Sequence, residues 1–316
     1  MIKKKVIVFG GGNGSAISLV ALKQNIEFFD ITAAISMSDS GGSSGKLRQD
    51  FQTLPPGDIM RAVLALSKYD YLMLKDIFYT QRFENCGKLS GHNLGNLFFA
   101  LSSHYDGDFV NSLQAFSQSI GALGKILPTT LEKTNLVVTL DNGQEIFSES
   151  EIDRPEYDRN FKIEKIRLEP PAKIYLQLEK EIEKADYIII GPGSLYTSLI
   201  SSLLPIGIKE AIEKSSAKLI YVSGNAYEKL GETGPEIFSE TVTCLEEYLP
   251  RPLDIILSNI FDFDEQKKMF YENKNWALLK YDPEKVDRKI ITFDFEKSSG
   301  GQCAIKLGNK LKEIIK

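Results

Sequence analysis

Val6-Ile-Val-Phe-Gly-Gly-Gly-Asn-Gly-Ser-Ala-Ile-Ser-Leu-Val-Ala-Leu-Lys23 changes its hydrophobic rhythm within a few residues. Val6–Phe9 is a short β-branched and aromatic run, as expected for a strand buried on both faces. Glycine fills four of the next five positions, Gly10, Gly11, Gly12 and Gly14, around Asn13. From Ser15 to Lys23 the apolar spacing becomes helical. A strand, a tight glycine turn and a helix make the first half of a βαβ unit. The turn departs from the dinucleotide fingerprint G-x-G-x-x-G, because Ser15 stands where the last glycine belongs.

The same rhythm recurs along the chain. Ile31–Ile35 reads as a second strand, followed by Ser36-Met-Ser-Asp-Ser-Gly-Gly-Ser-Ser-Gly-Lys46. Pro55-Pro-Gly-Asp58 reads as a turn, with Asp58 as N-cap of a helix over Ile59–Lys68. Tyr71–Tyr79 and Leu94–Ser103 also read as helices. Later come helix Lys173–Ala185, strand Tyr187–Ile190, the turn Gly191-Pro-Gly-Ser194, helix Leu195–Leu204 and strand Lys218–Val222. Asp254–Ser258 and Lys289–Phe293 read as further strands. Between these halves, Asn135–Leu140 and Gln144–Phe147 flank Asp141-Asn-Gly143, the pattern of a β-hairpin. The charged stretch 149–171 carries three prolines and reads as a lid or excursion. The expectation is a single α/β domain over 1–316: a Rossmann-like, doubly wound, mainly parallel sheet with a hairpin and lid insertion at 135–171.

Composition excludes several classes. The chain has 316 residues, 42% hydrophobic and 26% charged, which is ordinary for a globular protein with a large core. A net charge of −5 argues against nucleic-acid binding by phosphate neutralisation. No apolar run approaches the ~20 residues of a membrane span. The first glycine turn comes too early for a signal peptide, and Cys86, Cys244 and Cys303 form no paired framework. A cytoplasmic protein is expected.

Candidate site residues follow from the turns. Segments with little side-chain bulk let backbone N–H groups converge on an anion at a helix start. Gly11, Gly12, Asn13, Gly14, Ser43, Ser44, Gly193 and Ser194 are therefore candidates for holding a phosphate or pyrophosphate. Asn225, just past strand Lys218–Val222, is placed to line the same rim. Gly231-Glu-Thr-Gly234 is either a second contribution to that rim or only a loop. Asp39 is a Mg²⁺ ligand or a turn-stabilising carboxylate; Asp58 is a Mg²⁺ ligand or a helix cap. Gly41–Lys46 falls one residue short of a P-loop, and Leu47 replaces its hydroxyl residue, which excludes a Walker-type NTPase. Gly91-His-Asn-Leu-Gly95 has the shape of a nucleophile elbow, but Asn93 cannot attack a carbonyl. His92 is a phosphate donor, an acid–base group or a locally bonded histidine; His104 has no motif around it. Scattered histidines and cysteines exclude zinc.

In order and spacing, eight stretches resemble one family. They are Phe9–Gly14, Ser38–Arg48, Leu54–Ile59, Arg82-Phe83, Gly91–Leu97, Ile126–Thr130, Gly191–Ser198 and Gly231–Thr233. The family is that of the bacterial gluconeogenesis factor (YvcK-type) and 2-phospho-L-lactate transferase (CofD-type). Gly-Gly-Ser-Ser-Gly and Gly-His-x-Leu-Gly-Asn are similar to the YvcK-type branch. The resemblance implies a homodimer and a nucleotide-sugar ligand such as UDP-N-acetylglucosamine, in a regulator of carbon and cell-envelope metabolism. The transferase branch would instead imply a guanosine-diphospho donor, a deazaflavin acceptor and Mg²⁺ at Asp39 and Asp58. In that motif framework Asn93 and Asn96 join the candidates for ligand binding. Ser40 replaces the usual second aspartate, Asn93 replaces a serine, and an aspartate-histidine pair is missing after Thr233. Beyond about residue 254 the motif resemblance is weak.

Overall fold

The computed structural model describes residues 2–106 and 108–315, the side chains of 104–106 excepted, so His104 lies outside the described side chains. Among the described residues twelve strands are formed: β1 Lys4–Gly10, β2 Phe29–Ile35, β3 Lys125–Pro128, β4 Asn135–Leu140, β5 Glu145–Phe147, β6 Ile163–Glu169, β7 Tyr187–Ile190, β8 Lys218–Ser223, β9 Ala226–Glu228, β10 Ile255–Asn259, β11 Trp276–Leu278 and β12 Ile290–Phe293. Seven of them make a sheet in the order β12-β10-β8-β7-β1-β2-β3, and each neighbouring pair is parallel. The chain starts in the middle at β1, runs outward through β2 and β3, then returns to β7 on the other side of β1. The expected Rossmann-like, doubly wound arrangement is present, with its topological switch point between β1 and β7.

Strand alternation divides the core between the two faces. Val6 and Val8 point into one apolar cluster, with helices Gly12–Lys23, Gly57–Leu66 and Ala304–Ile314. Ile7 and Phe9 point into the other, with Ile188, Ile190 and helix Phe238–Glu247. All four β1 side chains are at most 2% exposed, so each contributes roughly 1.5–3 kcal/mol of burial.

The hairpin forms as expected, and the excursion after it is structured. Segment 149–171 folds into a short helix, Glu149–Asp153, and a third antiparallel strand, β6, giving the order β5-β4-β6. Ile163, Ile166 and Leu168 are buried beside Leu136 and Val138 in the second core cluster. A register shift opposite Thr139 and Leu140 lets Ile163 and Ile166 face inward although three residues apart. That break in alternation, with four charges among seven residues, conceals the strand in the sequence.

Two helix starts also differ from expectation. Helix Gly57–Leu66 begins before Asp58, so Asp58 sits in its first turn rather than at the N-cap, which is Pro56. The helix after Gly191–Ser194 opens as a wide π-type turn, Leu195–Ile200, before Ser201–Leu203.

Candidate functional site

The turns after β1, β2 and β7 emerge at the carboxyl ends of adjacent strands, where open α/β sheets hold their ligands. They border one cleft of ≈ 970 Å³. Gly11, Gly12, Asn13 and Gly14 line it from the first turn, Asp39, Ser43 and Ser44 from the second, and Gly193 and Ser194 from the third. Asp58, Asn96 and Asn225 line it as well. Gly14 lies directly against the carbonyl of Pro192, so the first and third turns meet with no room for a side chain between them.

The turns are less open than the sequence suggests, because each already carries a carboxylate. Asp58 accepts the Gly12 amide. Asp39 accepts the Gly41 amide at 2.9 Å. Glu232 accepts the amides of Tyr196 at 3.1 Å and Thr197 at 3.0 Å, and the Thr197 hydroxyl at 3.2 Å. Unused donors lie in the first turns of two helices. The earliest ladder bond of helix Gly42–Phe51 is Gly45 N–H to Gly41 O, at 3.1 Å. Gly42, Ser43 and Ser44 therefore precede the ladder, as Asn13 and Gly14 do in helix Gly12–Lys23.

His92 and Asn93 do not line the cleft. They are 3% and 0% exposed and lie behind the second turn, because Ser43 and Asn96 draw that loop inward. His92 Nδ1 is 2.9 Å from Ser43 Oγ, and Asn96 Nδ2 donates to the same oxygen at 3.0 Å. Asn93 Oδ1 accepts the Asn96 amide at 2.8 Å. Burial pushes the His92 pKa below its ordinary value; Lys46 and Arg82 lower it further against Asp50. At neutral pH His92 is an uncharged acceptor or donor at Nδ1, according to tautomer.

One end of the cleft is acidic. Burial raises the Asp58 carboxyl, Arg61 holds it down at 2.7 Å, and Asp39 and Asp153 push it up again. Glu149 is raised by burial and then by Asp39, and it accepts the Ser40 amide at 3.2 Å. A carboxylate from the helix after β5 thus reaches the place where Ser40 has left a gap. Arg48 ties this end together by donating to the carbonyls of Asp39 (3.1 Å) and Thr134 (2.6 Å) and to Asn135 Oδ1 (3.0 Å). Among the described residues, no three His, Cys, Asp or Glu side chains converge closely enough to hold a metal by themselves.

Arg61, Glu149, Asp153 and Glu232 were not singled out by sequence reasoning. Only Glu232 carried a signal, its place in Gly231-Glu-Thr233. The other three gain meaning only from the fold, which brings the hairpin and helix Gly57–Leu66 to the same turn.

The family model for 2-phospho-L-lactate transferase CofD matches residues 6–295, well past the last sequence motif. A putative gluconeogenesis factor from Thermotoga maritima is 37% identical over 316 residues, 98% of each chain. The gluconeogenesis factor of Bacillus subtilis is 35% identical over 286 residues, 90% of this chain and 87% of that one. A crystal structure of a UPF0052 family member from Bacillus halodurans superposes with a TM-score of 0.88 at 32% identity, covering 99% of both chains. The chain belongs to the CofD family, in the company of the gluconeogenesis factors.

Proposed function

We propose that this protein binds a nucleotide sugar, such as UDP-N-acetylglucosamine, in the cleft at the β1–β7 switch point, and acts through that binding as a regulator of carbon and cell-envelope metabolism. The observation that carries the reading is the convergence of three glycine turns, two with unused first-turn amides, on one cleft. A diphosphate needs such donors and no general base. Arg61, Arg82, Arg154 and Arg159 line the same cleft and offset its carboxylates.

A second reading, a Mg²⁺-dependent transferase with a nucleoside-diphosphate donor, is favoured by the acidic end. Asp39 and Asp58 suit Mg²⁺, which takes one or two carboxylates and completes its shell with ligand phosphates and water. Their crowding with Glu149 and Asp153 is a charge excess that a cation would relieve. Mg²⁺ there would neutralise charge on a departing phosphate, while Arg61 and the first-turn amides orient it.

A thermal-shift panel separates the two, using UDP-N-acetylglucosamine, UDP, GDP and deazaflavin with and without Mg²⁺. At 100 times Kd, a ligand adds about 2.7 kcal/mol. A metal-free response to the UDP-sugar is expected; a response to GDP only with Mg²⁺ would replace this reading with the transferase. Asp39→Ala should abolish any Mg²⁺-dependent part and spare the metal-free part.

A further inference from the structure

We infer that His92, though it faces away from the ligand, sets whether Ser43 offers the cleft a lone pair or a hydrogen, and so makes anion binding proton-linked. The inference rests on the nucleotide-sugar reading and extends it to the mechanism of discrimination.

Three buried groups share one oxygen. Ser43 is 5% exposed, lines the cleft and lies in the first turn of helix Gly42–Phe51. Its Oγ meets His92 Nδ1 at 2.9 Å and Asn96 Nδ2 at 3.0 Å. In the neutral ring that carries its hydrogen on Nε2, the Ser43 hydrogen is spent on Nδ1, and Oγ accepts from Asn96. What remains for the cleft is a lone pair, which repels a phosphate oxygen. Once Nδ1 carries a proton it can only donate, so Oγ accepts from the ring and from Asn96 together. The hydroxyl hydrogen is then released toward the cleft, beside the unused amides of the same helix start. A repulsive contact becomes an attractive one, with a positive charge behind it.

The surroundings keep the resting state neutral. Lys46 and Asp50 face His92 from helix Gly42–Phe51, and Arg82 faces it from the loop before residue 92, where it donates to Gly91 O at 2.7 Å. Two cations against one carboxylate disfavour the imidazolium until an anion arrives. Asn96 Oδ1 supports a gap in the network: it is a buried acceptor with no partner among the described residues, on a side chain that lines the cleft. A bound sugar hydroxyl or amide would supply the missing donor.

Linkage is reciprocal, so an anion that binds better to the protonated form must raise the His92 pKa. UDP-N-acetylglucosamine is a suitable probe, because its diphosphate does not titrate between about pH 5 and about pH 8. With only two histidines in the chain, the two imidazole signals can be followed by NMR, and His92→Asn assigns them. A rise of one unit on saturation corresponds to binding about tenfold tighter at low pH than at high pH. Asp58 and Glu149 also lose charge as pH falls, so the wild-type slope alone does not isolate His92. Calorimetric titrations of wild type and His92→Asn across that range do, and the variant should lose most of the wild-type slope. An equal slope in both proteins, or a His92 signal whose titration ignores saturating ligand, overturns the inference while leaving nucleotide-sugar binding intact. Absence of any binding at every pH overturns the functional reading as well. Should His92→Asn fail to fold, His104→Asn assigns the two signals and the NMR titration of the wild-type protein still decides.

Discussion

Glu232, whose one sequence signal was its place in Gly231-Glu-Thr233, is the residue most exposed to experiment. Its carboxylate is buried against the start of the helix after β7 and is engaged by two amides and a hydroxyl. Burial nevertheless dominates and raises its pKa. A carboxyl with a raised folded-state value contributes stability that is complete below the unfolded value of about 4.3 and is lost as pH rises through the folded value. Glu232→Gln does not titrate. The stability advantage of the wild type over this variant should therefore be greatest in acid and shrink toward neutral pH. Urea midpoints for both proteins from about pH 4 to about pH 8 test this, and a gap that widens with pH would refute it. Gly14 makes a different point. Its φ is ordinary, but a methyl group there would strike the Pro192 carbonyl. Gly143, at φ +85 with nothing nearby, is the reverse case: room without conformational freedom. Gly14→Ala should cost about 1–3 kcal/mol through overpacking and abolish the UDP-sugar response. Gly143→Ala should cost about 1–2 kcal/mol and leave that response unchanged. A Gly14→Ala protein that still responded normally would show that the first and third turns need not touch.

At the scale of elements, Arg48 ties the three-stranded β5-β4-β6 sheet to the second turn of the site. Arg48 lies in helix Gly42–Phe51 and donates to the carbonyls of Ser38, Asp39 and Thr134 as well as to Asn135. Burial lowers its pKa, and Asp39 and Glu149 oppose that shift. A lysine cannot reproduce the planar fork. Arg48→Lys is expected to lose about 1–3 kcal/mol and to speed hydrogen exchange in Asn135–Leu140 relative to β1 and β7. Equal protection in both proteins would mean that the apolar core and the bonds of Ile163 to Tyr196 and Thr233 hold the small sheet without Arg48. This element was half legible. Asp141-Asn-Gly143 announced the hairpin because a positive-φ turn has a local chemical signature. β6 was hidden because its charged residues face water and its inward register depends on an extra residue, Glu164, within β6 itself.

Across the whole molecule, what could be read in advance was what the chain states locally. Val6–Phe9, Ile31–Ile35, Tyr187–Ile190 and Lys218–Val222 are strands buried on both faces, so their apolar runs suffice to identify them. The glycine turns after three of them located the cleft, and the doubly wound topology explains why they meet. The carboxylates seated on those turns were not legible, since Asp58, Glu149 and Glu232 arrive from separate parts of the sequence. Nor was the burial of His92, whose polarity alone suggests a surface role. The strand order has one more consequence. β1 and its neighbour β7 are separated by more than half of the 316 residues, and the cleft exists only once the two lie side by side. A polypeptide ending before Tyr187 therefore lacks one wall of the cleft, and the pocket arises only when distant parts of the chain have met.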